Sequence, residues 1–230
     1  MDERFATLTT AHVADACVRA RLPVRCAPPS VQAVLPGTRV AGRVWPARHA
    51  GSVDIFLEAL ETAEPGAVLV VDNGGRTDEA CVGDLIALEV QRAGLDGIVI
   101  WGLHRDTADI TAIGLPVFSA GRSPAGPLSP RDRPADALAS ATVGEWTVSR
   151  DDLVLADEDG VLFISAARAD EIIAMAAAIR DTEHRQAARI RGGRSLRDQV
   201  QFSTYLAGRA QDPALTFRDH LRAVGAAVEE

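Results

Sequence analysis

Apolar residues recur at helical spacing over residues 8–21, where Val13, Ala16 and Cys17 share a face and Thr9 or Thr10 stands in the cap position. Pro28-Pro29 breaks the chain, and the alternation of Val40, Gly42 and Val44 predicts a strand over 39–45. A short amphipathic helix is expected over 53–61, followed by a turn at Pro65-Gly66. Residues 67–71 are continuously apolar, the pattern of a strand buried on both faces. The loop Asp72-Asn73-Gly74-Gly75 then leads toward a helix over 84–92, which carries Leu85, Leu88 and Val90 and stops near Gly94. A second buried strand spans 97–101, a short helix 108–113 and a third strand 115–119. Strands alternating with helices in this way predict an α/β layer.

Residues 122–137 are rich in Pro, Ser and Arg and predict an ordered surface loop. Further strands are expected over 142–148, 153–156 and 161–164, the last two joined by a turn at Asp157-Glu158-Asp159-Gly160. A long helix over 166–191 has Ser165 as its cap, Asp170 and Glu171 in its first turn, and Gly192-Gly193 as its stop. From Leu196 onward two more helical stretches flank Pro213. This pattern divides the chain into an α/β domain, residues 1–195, and a helical extension, residues 196–230. The extension carries Phe202, Tyr205 and Phe217, which pack either on their own body or on a neighbouring subunit as a wrapping arm.

Composition narrows the class. Hydrophobic residues make up 47% and charged residues 24% of the 230 positions, which fits an ordinary globular chain. No apolar run is long enough to span a bilayer, and Met1-Asp2-Glu3-Arg4 lacks the layout of a signal peptide, so a cytoplasmic protein without a membrane partner is expected. A net charge of −8 argues against a nucleic-acid partner, which calls for clustered positive charge. Cys17, Cys26 and Cys81 have neither metal-type spacing nor the look of a disulfide framework, and Cys17 reads as core filling. There is no lysine; all 24 basic residues are arginine. Schiff-base chemistry on lysine and the P-loop lysine are thereby excluded.

Candidate chemistry lies where strands end and helices begin. The strand over 67–71 leads through Gly74-Gly75 to Gly83-Asp84, and the strand over 97–101 leads through His104 to Arg105-Asp106. If the two strands are parallel neighbours, both loops share one sheet edge. The helix N-terminus at Asp84 offers free backbone N–H groups to a carboxylate, although Asp84 by itself also reads as a cap. Arg105 can grip a carboxylate with two parallel bonds, and Asp106 can hold a hard cation. Asp109, three residues on, would share a helical face with Asp106; an isolated surface ion pair is the plainer account of Arg105-Asp106.

Gly83-Asp84, a twenty-residue interval, and Arg105-Asp106 with Asp109 together resemble the signature of the RraA-like family, which includes 4-hydroxy-4-methyl-2-oxoglutarate aldolases and oxaloacetate decarboxylases. The similarity extends to Thr9–Ala16, Pro36-Gly37, Val40-Ala41-Gly42, Pro65–Asp72 and Asp159-Gly160-Val161. The resemblance implies a layered β/β/α swivelling-type sandwich with a long C-terminal helix and helical tail, assembled as a homotrimer or homohexamer with sites between subunits. It implies a carbon–carbon lyase for small 2-oxo acids that depends on Mg²⁺ or Mn²⁺. By the same resemblance Asp106 holds the metal, Arg105 contacts the substrate, and Asp84 orients a proton-delivering water. Gly83 and the amides of Leu85 and Ile86 seat the carboxylate. An acidic residue of the neighbouring subunit's long helix, matched best by Glu183 and next by Asp181, approaches the metal waters. Many family members read Asp-Gly before the Arg-Asp pair, where this chain has Trp101-Gly102-Leu103-His104. His104 is then either a satisfied loop histidine or a substrate contact, and Trp101 a residue that narrows the pocket. Two other functions stay open on these residues. The family's namesake inhibits a ribonuclease by protein contact, and Val68–Gly75 superficially resembles the first motif of Rossmann methyltransferases without its second glycine spacing.

Overall fold

The computed structural model describes residues 2–225. Helix α1 (Thr10–Arg19) is followed by two two-residue strands, β1 (Arg25–Cys26) and β2 (Gln32–Ala33), and then by β3 (Val40–Arg48), α2 (Asp54–Glu61) and β4 (Val68–Asp72). Next come β5 (Ala80–Val82), α3 (Asp84–Arg92), β6 (Gly97–Trp101), β7 (Leu103–His104), α4 (Thr107–Ile113) and β8 (Val117–Ser119). The chain continues through β9 (Ser140–Val143), β10 (Trp146–Ser149), β11 (Asp152–Asp157), β12 (Gly160–Ser165) and the long α5 (Ala169–Arg191). Helices α6 (Leu196–Gln199), α7 (Phe202–Gln211) and α8 (Phe217–Val224) follow.

Eight strands form one sheet in the order β1-β12-β11-β3-β4-β6-β8-β2. β3, β4, β6 and β8 run parallel, and the strands beyond them pair antiparallel. β11 pairs with the first four residues of β3 only, Val40 to Arg43, so Pro46 sits where a missing N–H breaks no ladder on that side. The two outermost strands, β1 and β2, are joined by the five residues 27–31. Such a link reaches at most about 21 Å. The edges of a flat sheet of this size would stand about 34 Å apart. The sheet must therefore curl until its edges approach.

Both faces of the curled sheet are buried, which explains the unbroken apolar runs of β4 and β6. On one face Trp45, Leu69, Val71, Ile98, Ile100 and Val117 pack with Ile55 and Phe56 of α2 and Ile86, Ala87 and Val90 of α3. On the other, Val44, Val68, Val70, Val99 and Phe118 meet Val143, Val148, Val154 and Phe163. This gives the β/β/α layering implied by the resemblance, with strand-derived side chains filling the concave side. The polar end of the Trp45 ring donates to the Ala59 carbonyl at 2.9 Å, so this buried indole leaves no donor unpaired.

The structure departs from the sequence expectations in several places. The single strand expected over 142–148 is a hairpin, β9–β10, turned at Gly144 with φ 63°. A Cβ there would also meet the Pro28 ring. α1 starts at Thr10, which puts Thr9 at the cap position, one of the two expected, and Asp157 of β11 accepts from the Thr10 N–H at 2.8 Å and the Thr10 hydroxyl at 2.6 Å. By density of contacts the chain falls into two compact units, residues up to 11 with 24–171, and residues 12–23 with the chain from 172 onward. In the second unit Val13, Ala16, Cys17, Ile172, Ala176 and Ile179 are buried. Among the described residues the extension holds three helices where two helical stretches were expected. Phe202, Tyr205 and Phe217 pack on one another and on His220, with ring centroids 5.0 to 6.1 Å apart.

Candidate active site

β4 and β6 are parallel neighbours, so the loops after both leave the same edge of the sheet. A feature absent from the sequence reading then joins them. β5 and β7 pair in parallel, Ala80 with Leu103 and Val82 with His104. β5 runs into Gly83-Asp84 and β7 into Arg105-Asp106, and the Arg105 N–H donates to the Val82 carbonyl at 2.9 Å. Two segments twenty residues apart in sequence thus arrive side by side. β-branched or aromatic runs that normally announce strands are missing from these short pieces, so nothing in the pattern foretold them.

Gly83 is the crowded point. A Cβ there would lie 2.5 Å from Asp106 Oδ2 and 3.3 Å from Arg105 Nε, so only glycine allows this approach. Gly83, with extended backbone, is the N-cap of α3 and Asp84 its first residue, so Asp84 is not the cap. A glycine cap supplies no side-chain acceptor. The first intrahelical bond runs from the Ala87 N–H to the Gly83 carbonyl at 3.1 Å, leaving the amides of Asp84, Leu85 and Ile86 for an anion. The Leu85 side chain is exposed, whereas Ile86 is buried in the core and fixes the helix start.

Arg105 Nε stands 3.2 Å from Asp106 Oδ2, with the two side chains 46% and 36% exposed, so the pair remains open to a ligand. Asp106 has left-handed backbone, φ 57° and ψ 41°, and is the N-cap of α4, where its carbonyl accepts from the Ile110 N–H at 3.0 Å while its side chain makes no capping hydrogen bond. Its carboxylate therefore does not follow the helical spacing that would align it with Asp109, which is exposed in the first turn. A second glycine, Gly126 in the loop after β8, closes on the other side of Arg105: a Cβ there would lie 2.5 Å from Nη1. A lone glycine in a Pro- and Ser-rich loop gave no signal of this role.

The neighbouring residues sort clearly. His104 is buried, with Nδ1 2.6 Å from the Ser119 hydroxyl and Nε2 3.0 Å from the Thr107 hydroxyl, so both ring nitrogens are satisfied inside the protein. Burial holds its imidazole below the usual value, with Arg122 acting in the same direction. It orders the turn that carries Arg105 and Asp106. The Trp101 ring lies against Gly75, where a Cβ would come within 2.5 Å of it. Glu183 Oε2 lies 3.2 Å from His12 Nε2 within its own unit and Asp181 pairs with Arg180 at 2.7 Å, and both carboxylates are about half exposed. Among the described residues no three His, Cys, Asp or Glu side chains form a metal-binding group. A single aspartate nevertheless suits Mg²⁺ or Mn²⁺, hard cations that are held by one or two carboxylates and keep several waters.

Against this geometry, the family model described as RraA-like, Aldolase/RraA, matches residues 10–163. The chain belongs to the RraA-like family. A relative from Dechloromonas aromatica, provisionally named 4-hydroxy-4-methyl-2-oxoglutarate aldolase, is 36% identical over 97 residues, 42% of this chain and 58% of its own length. A similarly named Bacillus anthracis protein is 32% identical over 105 residues, 46% of this chain and 65% of its own. The matches thus span under two thirds of these curated relatives. Among solved structures, RraAS2 of Streptomyces coelicolor, described as an unusual member of the RNase ES inhibitor RraA protein family, superposes with a TM-score of 0.69 at 25% identity, covering 81% of this chain and 94% of that one. This RraA-like chain contains no helix, among the described residues, long and apolar enough to cross a membrane.

Proposed function

We propose that this chain is a divalent-metal-dependent carbon–carbon lyase, an aldolase or decarboxylase, acting on small 2-oxo acids such as 4-hydroxy-4-methyl-2-oxoglutarate or oxaloacetate. The observation that carries this reading is the meeting of Arg105, Asp106 and the uncapped start of α3 around Gly83. The aldolase names of the relatives point the same way.

The residues divide the work as follows. The substrate carboxylate sits on the free amides of Asp84, Leu85 and Ile86, where the helix dipole favours negative charge. Arg105 grips the carboxylate and approaches the 2-oxo oxygen with its planar fork. Asp106 would hold the metal, which would polarise the 2-oxo group as a Lewis acid. Cleavage of the C3–C4 bond, one carbon removed from the 2-oxo carbon, sends its electron pair into a pyruvate enolate, whose oxygen Arg105 stabilises as charge develops. The other product is CO2 from oxaloacetate or, with the 4-hydroxyl proton passing to water, a second pyruvate from 4-hydroxy-4-methyl-2-oxoglutarate. A water oriented by Asp84 delivers the proton to the enolate carbon and completes pyruvate. With lysine absent, no imine route competes. Assembly as a trimer or hexamer, with Glu183 of a neighbouring subunit near the metal waters, is part of the same proposal.

The test is pyruvate release from oxaloacetate and related 2-oxo acids with Mg²⁺ or Mn²⁺. Turnover lost on chelation and restored by metal is expected. No turnover of any 2-oxo acid with metal present sinks the reading and leaves a protein-binding regulator as the account of the family membership.

A further inference from the structure

Glu79 is the most deeply buried acid of the α/β unit, with a side chain that is 0% exposed, and none of the chemistry above uses it. Its Oε1 accepts from Arg131 Nη1 at 2.8 Å and stands 3.2 Å from Arg76 Nε. Its Oε2 accepts the Leu128 backbone N–H at 3.1 Å. His49 Nδ1 is 3.9 Å away and bonds Asn73 Oδ1 at 2.9 Å, which also accepts from Arg131 Nη2 at 3.2 Å. Burial pushes the Glu79 carboxyl up, but the Leu128 amide and the Arg131 and Arg76 guanidinium groups outweigh it, and the net shift is downward. Glu79 is therefore a buried, ionised carboxylate held by charge-assisted bonds.

Two connections lead from it to the active site. One is covalent: Glu79 immediately precedes β5, which ends at Val82 and leads directly into Gly83. The other runs through the loop after β8. Besides Leu128 and Arg131, that loop is tied by the Ala80 N–H to the Ala125 carbonyl at 2.7 Å and by the Arg131 N–H to the Ala50 carbonyl at 2.8 Å. Between these ties lies Gly126, whose backbone backs the Arg105 guanidinium. Arg105 itself is half exposed, with its Nε 3.2 Å from Asp106 Oδ2 and its stem beside Gly83. Left to itself such a side chain samples many rotamers, and a two-point grip on a carboxylate is lost in most of them.

We propose that Glu79 is a positioning residue: it clamps residues 125–131 so that Gly126 holds the Arg105 fork in its substrate-binding orientation. The kinetic expression of this clamp rests on the lyase reading; its geometric expression does not.

The test compares the wild-type chain with Glu79→Gln, Glu79→Asp and Gly126→Ala. Glutamine keeps the volume and an acceptor for Leu128 but removes the charge on which Arg131 and Arg76 converge. Because Arg105 both grips the carboxylate and stabilises the developing enolate oxygen, Glu79→Gln should raise KM for oxaloacetate about tenfold through the first role and lower kcat about tenfold through the second. Glu79→Asp, which keeps the charge, should recover part of that loss. The Arg105 Nε–H resonance, identified by its disappearance in Arg105→Lys, should shift or broaden in Glu79→Gln, and amides 125–131 should exchange faster. Gly126→Ala should reproduce the KM rise without touching the buried charge, and it decides the matter if Glu79→Gln fails to fold. An unchanged KM and an unchanged Arg105 signal overturn the proposal. A wild-type chain without turnover, in which the Arg105 signal still responds to Glu79→Gln, sinks the lyase reading and leaves the clamp standing.

Discussion

At the scale of single residues, backbone geometry decides which substitutions are informative. Asp106 occupies the left-handed region, which asparagine tolerates better than alanine. Asp106→Asn therefore removes the charge with little change in backbone strain, and it should abolish metal-dependent pyruvate release while the urea midpoint stays near wild type. Full activity in that variant would place the chemistry elsewhere. Gly83→Ala should be damaging for the opposite reason, by crowding Asp106 and Arg105. Overpacking of this kind costs about 1–3 kcal/mol, readable by urea denaturation, together with a loss of turnover. Two buried histidines add a pH dependence. Burial is the largest cause holding both the His49 and His104 imidazoles below their usual value. The unfolded chain then takes up protons at a pH where the folded chain does not. Their contribution is fully present above about pH 6.5 and is lost as pH falls through the folded values. The urea midpoint should drop between neutral pH and about pH 5, and His104→Gln should flatten part of that decline. An identical profile in the variant would assign the effect to other groups.

Among elements, β4 and β6 do the positioning, because their parallel pairing sends both site loops to one edge. Leu69 in β4 is fully buried against the helices, so Leu69→Ala should cost about 2–5 kcal/mol in urea denaturation. A cost below that range would mean the helical layer closes over the gap. These strands were legible in the sequence because burial on both faces demands an unbroken apolar run, and α3 was legible because Gly83 and Gly94 bracket an amphipathic stretch. β5, β7 and the β9–β10 hairpin were not. They are two to four residues long and take their conformation from partners far away in the chain. The site shows the same division. Asp84, Arg105 and Asp106 stood out through spacing and resemblance, whereas Gly126 and Glu79 owe their places to a loop path that no local pattern encodes.

For the molecule as a whole, Val53 at the N-cap of α2, Leu57 within α2, and Leu85 and Leu88 on α3 leave apolar side chains 41% to 70% exposed. Apolar residues at i, i+3 or i, i+4 spacing that the chain itself does not cover suit a surface buried by self-association. Light scattering should find an oligomer, and Leu57→Asp with Leu88→Asp should shift it toward monomer; a monomeric wild-type chain would contradict the assembly proposed above. The curl of the sheet has a further consequence. One stretch, residues 25–33, supplies the outermost strand at both ends, so a single peptide screens two rows of backbone donors and acceptors that would otherwise template intermolecular pairing. Damage to Pro28-Pro29 or its flanks would unmask both rows together. The sequel would be clumping into β-rich aggregates during expression rather than a quiet loss of turnover, and a solubility screen would register it before any assay did.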